Sequence, residues 1–274
     1  PPKAVSDALA SVNQPSRARV VRTWIGTTRG ENGKTKVTFV WEPSPKMPGQ
    51  SGRATEAPAR VSLMAAGADG VPYYRGRVPD VAMAAASTPS ASGTGGSFGT
   101  ASEGSASQAA RGPSRVTFEV PPGKMELRVA VEGDASQVLD SEVREITVPD
   151  LTSPQISLGT PAVFRARTAR DFQQLKADVD AVPQTARDFS RTDRLLIRVP
   201  AYGPSGVPAV TAQLLNRDGK AMADVPVAVA ATAQAPAQIE LPLAALAPGE
   251  YLIEIKATGD GGDAKELVGF RVTG

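Results

Sequence analysis

The feature that most constrains this chain is a period of two. In residues 34–41 (KTKVTFVW), Val37, Phe39 and Trp41 fall on one side, and Lys36, Thr38 and Val40 on the other. Side chains on an extended backbone alternate between faces, so this pattern predicts a half-buried strand. It returns in residues 59–65, 71–78, 115–120, 124–132 and 137–148, after an opening run at residues 20–25. Turn residues separate the runs: Gly30 to Gly33, Asp69-Gly70, Pro121-Pro122-Gly123 and Gly133-Asp134. Short alternating strands punctuated in this way predict a β-sandwich.

The pattern repeats in the second half. Residues 194–199 (RLLIRV), 210–215, 221–229, 237–243, 251–257 (YLIEIKA) and 266–272 read as strands, with a Gly-rich hairpin connection at 259–263. One break is expected at 169–179, where Phe172, Leu175 and Val179 have helical spacing. Tyr251 stands at the entry to the penultimate strand. Immunoglobulin-like sandwiches place a tyrosine corner there, its hydroxyl bonded back to nearby backbone. The expectation is an all-β chain of two tandem immunoglobulin/fibronectin III-like sandwiches. Domain 1 takes residues 16–150 and domain 2 residues 151–274. Residues 1–15 read as a tail or linker. Within domain 1, residues 82–112 are nearly all Ala, Ser, Gly and Thr, and read as a long disordered loop.

Composition removes several classes of chemistry. None of the 274 residues is His or Cys. That excludes disulfides, thiolate nucleophiles, Cys/His zinc sites, the Ser-His-Asp triad and any imidazole acid or base. Lys and Arg number 30 against 28 Asp and Glu, a net charge of +2 that does not suggest nucleic-acid binding. No run of apolar residues reaches the length of a transmembrane helix.

Four motifs bear on function. Gly33-Lys34-Thr35 resembles the end of a phosphate-binding loop, but position 28 is Thr and a strand follows where a helix is required. Gly95-Gly96-Ser97-Phe98-Gly99 matches a nucleophile elbow literally, yet it lies in low-complexity sequence without a His partner. Asp260 and Asp263 fit turn chemistry better than calcium, which wants six to eight oxygens. Arginines 165, 167, 170, 187, 191 and 194 are interleaved with aspartates 171, 178, 180, 188 and 193. That mixture reads as a solvated, ion-paired face, with a docking surface as the alternative.

Residues 22–26 (RTWIG), 29–43 (RGENGKTKVTFVWEP), 163–168 (VFRART) and 249–255 (GEYLIEI) resemble the C-terminal region of bacterial von Willebrand factor A-related domain proteins. The likeness covers residues 17–274. It implies an exported protein, secreted or associated with the periplasm or cell envelope. The A-type domain of that family carries a D-x-S-x-S metal loop, which this chain lacks, so no metal site is carried over.

The function expected is therefore a non-catalytic structural or protein-interaction module, with no cofactor and no catalytic residue assigned. Its partners would be proteins, in the same longer chain or at the cell envelope. The alternative is a glycan- or peptide-binding module built on Trp24, Tyr73 and Tyr74, whose rings could form a platform.

Overall fold

The computed structural model describes residues 2–13, 20–45, 56–79, 114–228, 232 and 235–274. Among the described residues, seven antiparallel strands form the first sandwich: β1 (Val21–Arg29), β2 (Thr35–Pro43), β3 (Arg60–Gly67), β4 (Pro72–Val78), β5 (Arg115–Val120), β6 (Gly123–Glu132) and β7 (Val138–Val148). One sheet has the order β1-β2-β5 and the other β4-β3-β6-β7. The alternation explains the layering. Val37, Phe39 and Trp41 face Leu63, Met125, Leu127 and Val129 across the core. The Trp41 indole N–H would be stranded there, and it donates to the Val78 carbonyl at 2.9 Å.

A second sandwich follows. Its first sheet joins β9 (Ala162–Ala166), β11 (Arg194–Val199), β16 (Ala237–Pro242) and β15 (Val227–Ala228). The second sheet has the order β10 (Asp188–Ser190), β18 (Gly262–Thr273), β17 (Gly249–Gly259), β13 (Ala209–Asn216) and β14 (Ala221–Val225). Two short strands, β8 (Ser157–Leu158) and β12 (Ala201–Tyr202), pair with each other at one end. Strand β10 pairs with β18 in parallel, and the other pairings among the described residues are antiparallel. The four-strand sheet facing the sheet of the last two strands is the immunoglobulin-like arrangement. The expected tyrosine corner is present: the Tyr251 hydroxyl donates to the Ala247 carbonyl at 2.9 Å, and the ring stacks on Phe270.

Helix α2 (Ala169–Ala177) occupies the segment where helical spacing was seen. Thr168 and Asp171 form a capping box at its start, each side chain taking the other's backbone N–H. The helix stops at Ala177, so only Phe172 is buried and Val179 lies beyond the end, 86% exposed.

The opening residues correct the expectation of a tail. Lys3–Asn13 is helix α1, and Val5, Leu9 and Val12 are buried. They recur at i, i+4 and i+7, one stripe of a helix, in a stretch whose Ala and Ser content hides the pattern. Val5 and Leu9 pack against Leu215 and Leu252 of the second sandwich. Gly269 makes the close approach feasible, since a Cβ there would lie 2.6 Å from the Ala8 carbonyl oxygen. The chain thus begins on the second sandwich, builds the first, and returns. Residues 82–112, expected to be disordered, lie outside the described residues.

Gly269→Val should therefore displace α1 while leaving both sandwiches folded. In hydrogen exchange the amides of residues 6–13 should lose protection, with those of β11 and β17 unchanged; retained protection of α1 would contradict this packing.

Candidate functional site: the junction between the sandwiches

The outer edge of β1 is where the two sandwiches meet. In this antiparallel strand the even residues bond to β2, so the N–H and C=O groups of Val21, Thr23, Ile25, Thr27 and Arg29 point away from it. The second sandwich meets two of these positions. Thr160 N–H donates to the Thr27 carbonyl at 2.9 Å, and Thr27 N–H donates to the Thr160 hydroxyl at 3.0 Å. The two threonine hydroxyls are themselves 2.9 Å apart. Arg29 N–H donates to the Tyr202 hydroxyl at 2.9 Å.

Side chains reinforce the edge. The Arg29 guanidinium lies 4.4 Å from the Tyr202 ring centroid, a cation–π contact, and its Nε donates to the Leu151 carbonyl at 2.8 Å. Burial pushes the Tyr202 phenol above its ordinary value of 10.0, against the opposing pull of Arg29. Thr35, fully buried, donates to the Pro149 carbonyl at 2.7 Å. That hydroxyl belongs to the Gly33-Lys34-Thr35 sequence, whose loop is a hairpin turn with Asn32 and Gly33 at positive φ.

A second line of contact crosses the outer face of β1, β2 and β5. Thr185 donates to the Glu42 carboxylate at 2.7 Å, and Arg115 donates to the Asp180 carbonyl at 2.7 Å. Arg22 lies 3.8 Å from Asp188, which also faces Arg271 at 3.6 Å. Arg187 is enclosed beside them, and burial lowers its guanidinium to about 10 although Glu42 opposes the shift.

This corrects the reading of the Arg/Asp-rich segment as one solvated face. Asp180 and Asp188 bind the first sandwich. Asp193 is buried, accepting the Ser190 N–H at 2.8 Å. Arg194 and Arg198 lie over Phe172 and Phe164. Sequence showed the charges, but nothing in it showed that Asp180 and Asp188 would meet Arg115 and Arg22 of the first sandwich.

The three aromatic candidates do not share a surface. Trp24 is half-buried on the outer face of β1, the face of Arg22 and Glu42, with its indole across Gly26. Tyr74 points into the core and stacks on Phe118, ring centroids 5.0 Å apart. Tyr73, next to it on β4, is half-buried with its hydroxyl against Gly67. Asp263 faces Lys256 at 3.9 Å. Among the described residues no group of three or more His, Cys, Asp or Glu could hold a metal ion.

Beside the junction lies a cleft of about 590 Å³, lined by Ile25, Ile146, Leu158, Thr147 and Glu266 among others. A more polar cleft of about 470 Å³ lies between α2 and β9, lined by Arg165, Arg167, Asp171 and Gln174.

No family model matches the chain, and no curated protein does. Among solved structures it is similar to dimeric latent PorU from Porphyromonas gingivalis, at 13% identity and a TM-score of 0.36. That match covers 92% of this chain and 20% of PorU, so the chain spans about a fifth of that protein's length. The fibronectin(III)-like modules of Clostridium thermocellum CbhA match at 13% identity and a TM-score of 0.23, over 92% of this chain and 94% of theirs. A titin fragment matches at 10% identity and a TM-score of 0.27, over 88% and 91%. The fold assignment stands on the strand order and register given above.

Tyr202→Phe removes the acceptor for the Arg29 N–H and should lower stability by about 1–2 kcal/mol in denaturant unfolding. The Arg29 amide should exchange faster in that variant. Because the folded phenol is held above 10.0, its contribution is complete below that pH and is lost as pH rises through the raised value. The stability gap to Tyr202→Phe should close at alkaline pH; a gap that widens would contradict the assignment.

Proposed function

We propose that the protein is a non-catalytic spacer and interaction module in which two β-sandwiches are held as one body. The observation that carries this reading is the junction. Main-chain groups at Thr27 and Arg29 are bonded across it, and a second set of contacts at Glu42, Arg115 and Arg22 braces the adjoining face. Interfaces between domains that move freely are usually polar and loosely paired. Here the backbone of an edge strand is satisfied by the neighbour, and rotation about the connection would strand those groups. A fixed pair of sandwiches holds surfaces at a set spacing, which is what a structural arm requires.

Within this reading the chain is an accessory region of an exported bacterial protein related to the von Willebrand factor A-domain family. The support is the set of sequence strings given earlier, and the sequence upstream of Pro1 in the natural protein would decide the context. The immunoglobulin-like and fibronectin III-like sandwiches suit such a role because they present loops and edges without needing a catalytic cleft.

Backbone ¹⁵N relaxation tests the mechanical claim. Amides of β3 and β6 should report the same rotational correlation time as those of β11 and β17. Two distinct times, each matching a domain of half the mass, would contradict a single body.

A further inference from the structure

The edge of β1 is used only at its junction end. Thr27 and Arg29 are bonded to the second sandwich, whereas among the described residues the outward N–H and C=O groups of Thr23 and Ile25 have no hydrogen-bond partner. Natural sheet edges are usually blunted by proline, bulges or central lysines. β1 has none: its register with β2 runs through nine consecutive pairs without a shift. Among the described residues it is a regular edge without a partner at Thr23 and Ile25.

A cleft lies beside that edge at Ile25 and Thr27. Between β1 and β7, Val21, Thr23, Val129 and Arg144 line a groove of only about 10 Å³, and Ile25 and Arg144 line the junction cleft. Arg144 spans the groove by donating to the Thr23 hydroxyl at 3.2 Å, and Glu142 holds its guanidinium through two bonds. The cleft end is apolar at Ile146 and Leu158 and acidic at Glu145 and Glu266. Glu145 is paired with Lys124. Glu266 is exposed at the rim, yet the surrounding atoms desolvate its carboxyl enough to raise its pKa. A cation beside it would relieve that cost.

We propose that this edge and cleft bind an extended peptide segment by strand addition, with main-chain pairing at Thr23 and Ile25, an aliphatic side chain over Ile146 and Leu158, and a lysine or arginine at Glu266. This rests on the reading of the protein as an interaction module and names the chemistry of its partner. Thr160 already makes the first pairing on this edge, so the incoming strand extends a line the fold begins. Main-chain bonds supply the affinity, and the apolar floor and Glu266 supply the selection.

Fluorescence anisotropy with the labelled heptapeptide KKVTVTV tests this on the full chain. The peptide should bind, and N-methylation of one alternate set of its amides should weaken binding at least tenfold. The acidic counterpart EEVTVTV should bind several-fold more weakly, and Glu266→Lys should reverse that preference. Ile25→Pro removes an outward N–H without touching the β2 ladder, and should also cost at least tenfold. Equal binding by N-methylated and unmodified peptides, or no binding by KKVTVTV, would overturn the proposal. If Ile25→Pro does not fold, the N-methylation comparison on the unaltered protein decides. A single correlation time with no peptide binding removes this site and leaves the two-sandwich module standing; two correlation times remove the module reading instead.

Discussion

Backbone amides covered at the edge of a sheet need a partner in place of water, and at the end of β1 that requirement joins the two sandwiches. Thr27 and Arg29 sit where the first sandwich ends. Their main-chain groups would otherwise be covered by the second sandwich without partners, at a cost of about 1–3 kcal/mol each. Thr160 and Tyr202 supply the bonds, and Arg29 closes the arrangement by stacking on the same tyrosine it bonds. The remaining contacts depend on this placement. With β1 fixed at its end, its outer face is turned toward residues 180–188, so Glu42, Arg115 and Arg22 find partners there.

Chain path adds a second tie. Helix α1 precedes the first sandwich but docks on the second, across Leu215 and Leu252. The first sandwich is therefore held to its neighbour at both its beginning and its end. Gly269 is the residue that allows this, because the helix backbone passes where any side chain would stand. The strand that carries Gly269, β18, also pairs with β10 just beyond the 180–188 segment. One strand thus supports both ties.

Much of the fold was legible because its signal is local. Alternation located every strand of the first sandwich to within a few residues, and Tyr251 before the penultimate strand pointed to a corner that the structure contains. The short strands β8, β10 and β12 were not legible, since two or three residues cannot show a period. Helix α1 was missed because three apolar residues among Ala and Ser look like a tail until the surface they cover is known. The junction was the least visible part. Periodicity says which residues share a face, but not what covers the outer one, and so Trp24 read as a binding aromatic. Thr160 and Tyr202 carry no motif; their role comes from meeting β1.

The central claim is that the two sandwiches form one body fixed at the β1 edge. With no native cysteine to interfere, spin labels can be placed through Asp134→Cys in the first sandwich and Thr211→Cys in the second. Pulsed dipolar spectroscopy should return one narrow distance distribution, which should broaden when Arg29→Ala and Tyr202→Phe are combined. A broad distribution in the otherwise unaltered protein, or one indifferent to that pair of substitutions, would contradict the account.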